Sequence, residues 1–319
     1  MEQYNVLSLF DGISCGQVAL NRANKKIKNY IASEIDKYAI KVTQNNFPKT
    51  IHVGNIEKIR YDEKTKELYN IETNEVLFTG DIDIIIGGSP CQSFTFAGKR
   101  EGMATKENIE VTTLEQYLEL KEKGFEFVGQ SYLFWEYVRL LLEVKPKYFL
   151  LENVKMKEFW EKVITKTLNI EPIRINSENY SAQRRDRLYW TNIDINKEEL
   201  LNNKNNLLLK DIIREEDNEN YHLSKTHHAA FLKSYHWKPN LLNEKSKPLL
   251  ATYYKQPPHC PYIPCELSES RYRMLSPIEC ERLQTLPDNY TQGISKTQRY
   301  KCIGNGWTVD VIANIFKYI

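Results

Sequence analysis

Cys91 follows directly on Pro90 at the end of "DIIIGGSP", and what its thiol can do depends on where that run delivers it. The mostly β-branched stretch from Ile82 to Ile86 has the length and composition of a fully buried strand. Gly87-Gly88 ends it where a backbone can approach a ligand closely. Ligands of open α/β sheets bind at the carboxyl ends of the strands, so Cys91 stands where a nucleophilic thiolate would work. The plainer reading is a small buried hydrophobe, because unpaired cysteines often pack that way.

Three further groups join it. The segment "YFLLENV" reads as a strand ending in Glu152-Asn153, which brings a carboxylate to the same edge. A buried carboxyl without a partner is costly to ionise and readier to donate a proton. "SAQRRDRLYW" supplies Gln183, Arg184, Arg185 and Arg187; guanidinium groups suit phosphates or a polarised carbonyl oxygen, and a solvated basic face would use the same residues. "FDGISCG", with Gly12 and Gly16, is a strand-to-helix turn that departs from the G-x-G-x-x-G spacing of hydride-transfer enzymes. Glu34 stands about 20 residues beyond that turn, where a carboxylate accepts from ribose hydroxyls, although an ordinary surface glutamate fits the spacing equally.

The elements that must position these residues follow a βα rhythm. "YNVLSLFDGISCGQVAL" predicts a strand, a turn and a helix, and "NYIASEIDKYAIKVTQNN" a second strand ending at Glu34 with a helix from about Asp36. "SYLFWEYVRLLLEV" puts Leu133, Tyr137, Leu140, Leu141 and Val144 on one helical face, and Pro146 stops that helix before the Glu152 strand. The alternation runs to about Trp190. From about Ile195 an Asn/Lys/Glu-rich stretch loses it, and regularity returns with a helix starting at Ser276-Pro277 and a terminal helix carrying Ile312, Ile315, Phe316 and Ile319.

Composition narrows the class. The chain has 319 residues, 41% of them hydrophobic, which is enough for one large α/β domain or two domains. Lys+Arg 44 against Asp+Glu 42 neither demands nor excludes a nucleic-acid partner. The N-terminus lacks the features of a signal peptide and no apolar run of about 18 residues suggests a membrane span, so a cytoplasmic protein is expected. Cysteines 15, 91, 260, 265, 280 and 302 contain no C-x-x-C pair and fit free thiols. His259, Cys260 and Cys265 of "HCPYIPC" could open a zinc site, but the remaining cysteines are widely separated in helix-like segments and no metal is expected.

Taken in order, "FDGISCG", "SEIDKYA", "GNI", "GGSPCQSF", "KPKYFLLENV", "QRRDRLYW", "RMLSPIECERLQTLPDNY" and "CIGNGWTVDVI" resemble the motifs of the cytosine C5 DNA methyltransferase family. The resemblance covers roughly 1–193 and 270–319. "SLFDG", "GGSPC", "SYLFWEYVRLL" and the tryptophan-containing end look particularly like the animal de novo branch, and phage and bacterial enzymes share these features.

The resemblance implies a methyltransferase Rossmann-like α/β sheet with a small target-recognition domain. It places the catalytic and cofactor-binding domain in 1–194, recognition in 195–271, and a segment completing the catalytic domain in 272–319. It further implies double-stranded DNA as substrate, S-adenosyl-L-methionine as cofactor and no obligate protein partner. Cys91 would add to cytosine C6, a protonated Glu152 would hold N3 and the exocyclic amine, and Arg185 and Arg187 would orient the loop and hold the base oxygen. Such attack requires the base to be flipped from the duplex.

Cofactor contacts carried over in the same way are Phe10, Gly12, Ile13, Glu34, Ile35, Asn55, Ile56, Pro90, Leu133, Asn305 and Trp307. Asn55 stands where the family usually has Asp. Expected DNA contacts are Gln92, Ser93, Lys99, Arg100, Gln183, Lys233 and Lys238. Residues 103–129, helical from Leu114 to Lys123, are either a surface decoration or a DNA-contacting insertion. An RNA cytosine methyltransferase and a non-catalytic DNA-binding relative are the rival functions; the latter would have lost Cys91, Glu152 or the arginines, and all are present.

Overall fold

The computed structural model describes residues 2–90, 102–213, 218–234, 238–268 and 270–319. β1 (Gln3–Leu9) leads to α1 (Cys15–Arg22), and β2 (Lys26–Ser33) to α2 (Lys37–Asn46). That second helix begins where its pattern predicts, because the Asp36 carboxylate accepts the Tyr38 N–H at 2.9 Å and caps it. β3 (Ile51–His52) is followed by an antiparallel meander of β4 (Ile59–Asp62), β5 (Glu67–Asn70) and β6 (Val76–Thr79), and then by β7 (Ile84–Gly87).

α3 (Leu114–Glu122) starts at Thr113, whose hydroxyl accepts the Gln116 N–H. α4 (Phe134–Val144) ends at Lys145 in the left-handed region (φ 51°), just before Pro146. β8 (Tyr148–Val154), α5 (Glu158–Leu168), β9 (Ile173–Asn176) and β10 (Asp186–Thr191) complete the sheet, whose strand order is β3-β2-β1-β7-β8-β10-β9. β1, β2, β3, β7 and β8 pair in parallel; β10 runs antiparallel to both its neighbours. The connection order reverses between β1 and β7, which is where such sheets form a ligand crevice.

The inner strands are largely apolar, β7 continuously so, because both of their faces are covered. Val6, Ile84, Ile86 and Leu150 face one core, while Leu7, Leu9, Ile85 and Leu151 face the other. Residues 103–129 belong to the second core: Met103, Val111 and Tyr117 are buried in it, so this stretch is more than decoration. Glu136 of α4, itself fully buried, accepts from Tyr117 Oη at 2.6 Å and Arg139 Nε at 2.7 Å, and Arg139 Nη2 donates to the carbonyls of Ile56 and Ile59. Burial pushes Glu136 up, but Arg139, Lys121 and Tyr117 outweigh it and hold the carboxyl below its ordinary value.

Beyond β10 lie α6 (Lys197–Leu201), α7 (Leu209–Ile212), α8 (Lys225–Leu232) and the antiparallel pair β11 (Tyr262–Pro264) and β12 (Tyr272–Met274). α9 (Pro277–Leu283) opens with a capping box: Ser276 Oγ accepts the Glu279 N–H and the Glu279 carboxylate accepts the Ser276 N–H at 2.7 Å. α10 (Lys296–Asn305) and α11 (Val309–Phe316) close the chain. A third core joins Leu209, Phe231, Leu249 and Tyr262 to Leu283, Tyr300 and Ile303, so the small module packs directly on α9 and α10. α11 returns to lie against α1, where Tyr290 Oη donates to the Ile13 carbonyl at 2.6 Å.

Candidate active site

The carboxyl ends of β7 and β8 carry the base-side chemistry. Asn153 Nδ2 donates to Ser89 Oγ at 3.0 Å and ties the segment entering Pro90 to the strand that holds Glu152. Glu152 is 9% exposed, and it is not the unpartnered carboxyl that its place in the sequence suggests. Arg187 Nε lies 2.9 Å from its Oε1, and Trp307 Nε1 donates to its Oε2 at 3.2 Å. Register explains the arginine: β10 pairs with β8 so that Tyr189 faces Glu152, and Arg187 lies two residues along the same face.

The other members of the "QRRDR" group have a different task. Arg185 is buried and donates from Nη1 to the Leu249 carbonyl at 2.8 Å, and from Nη2 to the Gly304 and Gly306 carbonyls at 3.1 Å each. Gln183, expected to touch DNA, is fully buried instead. Its Nε2 donates to Leu283 O and Gln284 Oε1, and its Oε1 accepts the Leu249 N–H at 2.7 Å. A polar residue enclosed with its hydrogen bonds made inside the protein cannot also read a base edge, so this expectation is corrected. Gln284 Nε2 in turn donates to Ile303 O and Gly306 O.

On the other side of the switch point, the turn after β1 uses positive φ at Phe10 (57°), Gly12 (60°) and Ser14 (56°). Glu34, at the end of β2, accepts the Gly12 N–H on Oε2 and the Ile35 and Asp36 N–H groups on Oε1, each at 2.8 Å. A side chain at Gly12 would meet nothing within 4 Å, so the turn faces open space. Ile35, just beyond Glu34, is 66% exposed. Asp11 accepts from Tyr30 Oη at 2.8 Å and from Ser14 Oγ. Burial pushes its carboxyl up to about 6 against those hydrogen bonds.

The remaining cofactor candidates divide. Ile13, Ile56 and Leu133 are buried, and so contribute walls rather than free side chains; Asn305 is exposed and Pro90 half-buried. Asn55 Oδ1 accepts the Glu57 N–H at 3.0 Å and caps the short turn that contains Ile56.

The description "C-5 cytosine-specific DNA methylase" matches residues 4–319. The chain belongs to that family. It is a DNA cytosine-5-methyltransferase. M1.ScrFI, a type II methyltransferase of Lactococcus lactis subsp. cremoris, is 28% identical over 97% of this chain and 76% of its own length. M.NlaX, a type II methyltransferase of Neisseria lactamica, is 26% identical over 98% of this chain and 95% of its own. Among solved structures, the Entamoeba histolytica methyltransferase EhMeth superposes with a TM-score of 0.67 at 19% identity, covering 100% of this chain and 98% of that one; this likeness speaks for the fold.

For this methyltransferase, Cys91, Gln92, Ser93, Lys99 and Arg100 lie outside the described residues. Lys233 and Lys238 are exposed in the small module. Among the described residues no three His, Cys, Asp or Glu side chains cluster as a metal site, and Cys260 is buried with its thiol pushed up to about 12 by desolvation. No helix among the described residues is long and apolar enough to cross a membrane. The contact of Trp307 with Glu152 was not visible in the motifs, which pointed only to a cofactor neighbour. The signal that could have found it is Gly88, where a Cβ would crowd both the indole nitrogen and the Glu152 carboxylate.

Proposed function

We propose that this enzyme takes its methyl group from S-adenosyl-L-methionine, flips a cytosine out of double-stranded DNA and adds Cys91 to C6 of that base. The observation that carries this reading is the fixed carboxylate of Glu152, bonded to Arg187 at the sheet edge from which Pro90 leads directly into Cys91. The residues around the β1 turn suit the cofactor: open space at Gly12, the Glu34 carboxylate at the end of β2 and the exposed Ile35 beside it. When bound, it supplies an electrophilic methyl group.

Cytosine C5 is too weak a nucleophile to attack such a group unaided. Addition of the Cys91 thiolate to C6 makes C5 enamine-like, while Glu152 carries a proton taken from solvent to N3 and accepts from the exocyclic amine on its other oxygen. After methyl transfer, C5 loses its proton to a base, the C6–S bond breaks and the ring regains aromaticity. Arg187 steadies Glu152, and Arg185 fixes the main chain around Gly304 and Gly306. Stacking inside a duplex denies access to both faces of the C5–C6 bond, which is why the base must leave the helix.

In this scheme 1–194 and 272–319 form the catalytic unit and 195–271 selects the sequence, with exposed Lys233 and Lys238 on phosphates. The site of action in this reading is cytoplasmic DNA. Incubation with duplex DNA or RNA, a labelled methyl donor and bisulfite sequencing tests the proposal. Methylation of cytosines in one duplex sequence, abolished by Cys91→Ser, is expected. Labelled RNA with unlabelled DNA, or an active serine variant, would overturn substrate or mechanism respectively.

A further inference from the structure

We propose that Trp307 is a positioning residue for Glu152: its indole N–H holds the second carboxylate oxygen so that the carboxyl group meets the base in one orientation. This deepens the reading above and rests on it. The motifs place Trp307 only beside the cofactor, but the structure gives it a bond to the carboxylate on which the base chemistry depends. Arg187 occupies Oε1 and Trp307 occupies Oε2, so rotation of the carboxylate plane would break one bond or the other. A carboxyl group has about four lone-pair sites, so with both donors bound it still has one for the proton shared with N3 and one to accept from the exocyclic amine.

The protein is built around this ring. A Cβ on Gly88 would lie 3.0 Å from Trp307 Nε1 and 3.1 Å from Glu152 Oε2, and one on Gly16 would lie 3.5 Å from Trp307 Cζ3. The absent side chain at Gly88 leaves the slot beside the end of β7 in which the indole lies; the far edge of the ring is in ordinary contact range of Gly16 at the start of α1, where an added Cβ would first meet Ile86. The main chain that delivers it is held from outside the slot: Arg185 and Gln284 both bond the Gly306 carbonyl, and Thr308 Oγ1 donates to Gln284 Oε1 at 2.9 Å. Gln183, through Gln284, belongs to the same clamp.

A cofactor contact and a positioning contact are separated by a reaction that needs no cofactor. With duplex DNA tritiated at cytosine C5, the Cys91 thiolate bonds to C6, C5 takes a proton from water, tritium leaves C5 to water and the C6–S bond breaks. Trp307→Phe keeps a flat apolar ring but removes the donor. Its exchange rate should fall about tenfold, the scale of a hydrogen bond to a charged group, while cofactor affinity by calorimetry stays within twofold. In a Glu152→Gln background the same change should cost little more, because the two side chains act through one contact.

Benzothienylalanine at position 307, which puts sulfur in place of the N–H at nearly constant shape, should reproduce the loss, and it decides the matter if the phenylalanine variant folds poorly. Unchanged exchange with weakened cofactor binding would make Trp307 a cofactor wall only and overturn the inference. A full tenfold loss in the Glu152→Gln background would also overturn it. A wild-type enzyme that neither exchanges tritium nor methylates any duplex would refute the underlying reading instead.

Discussion

Two carboxylates stand at one edge of the sheet and are held by opposite means. Glu34 is fixed by three main-chain N–H groups, two of them from the next two residues and one from the turn after β1. Glu152 is fixed by two side chains, Arg187 from a different strand and Trp307 from the C-terminal return of the chain. Main-chain donors are present whatever the side chains are, so the cofactor side of the site is a property of the backbone turn. The base side depends on individual side chains and on the clamp that delivers them.

The sharpest way to break this contrast is to neutralise each carboxylate in turn. Glu152→Gln should lower the methylation rate by about 10²-fold or more at saturating cofactor, the usual scale of acid-base assistance, and leave cofactor affinity nearly unchanged. Stopped-flow single turnovers and calorimetry measure the two quantities. Glu34→Gln should do the reverse. Its cofactor dissociation constant should rise about tenfold, as expected for one charge-assisted hydrogen bond, with the rate at saturation within a few-fold of wild type. If Glu34→Gln proved the more damaging to the rate at saturation, the division between the two sides would be wrong.

A smaller effect is expected in the 195–271 module. Lys233→Ala should weaken binding to every duplex alike by a few-fold and reduce the salt slope by about one unit, since one phosphate contact is lost. A changed preference at one base position would make that lysine a reader instead. A last effect, on stability alone, belongs to Asp11. Its carboxyl is raised from an ordinary 3.8 to about 6, so the folded chain binds more protons than the unfolded chain across that window and stability falls as pH rises through it. Asp11→Asn should remove this component, and chemical denaturation from pH 4 to pH 6.5 should show a less negative slope for the variant than for wild type.

Much of the positioning scaffold was legible in the sequence because it is local. The βα units, the caps at Asp36 and Ser276 and the helix of residues 114–122 each follow from side chains within a few positions of the feature they specify. The antiparallel direction of β10 and the meander of β4, β5 and β6 are different. Strands of four residues separated by short turns carry too little alternation to stand out. The types of Gln183 and Arg185 were equally uninformative about their surroundings: the same polar side chains that suit a DNA surface suit an enclosed clamp, and only the return of residues 304–308 shows which applies. Trp307 reaches Glu152 for the same reason, across 155 residues of chain.

The most direct test of the covalent mechanism is mass spectrometry of a duplex carrying 5-fluorocytosine at the target position, incubated with the enzyme and S-adenosyl-L-methionine. Fluorine at C5 cannot leave as a proton does, so the methylated base should remain bonded to the protein. The account predicts a stable adduct on the peptide containing Cys91, absent in Cys91→Ser. Methylation of the unmodified duplex without any such adduct, or an adduct on another residue, would contradict it.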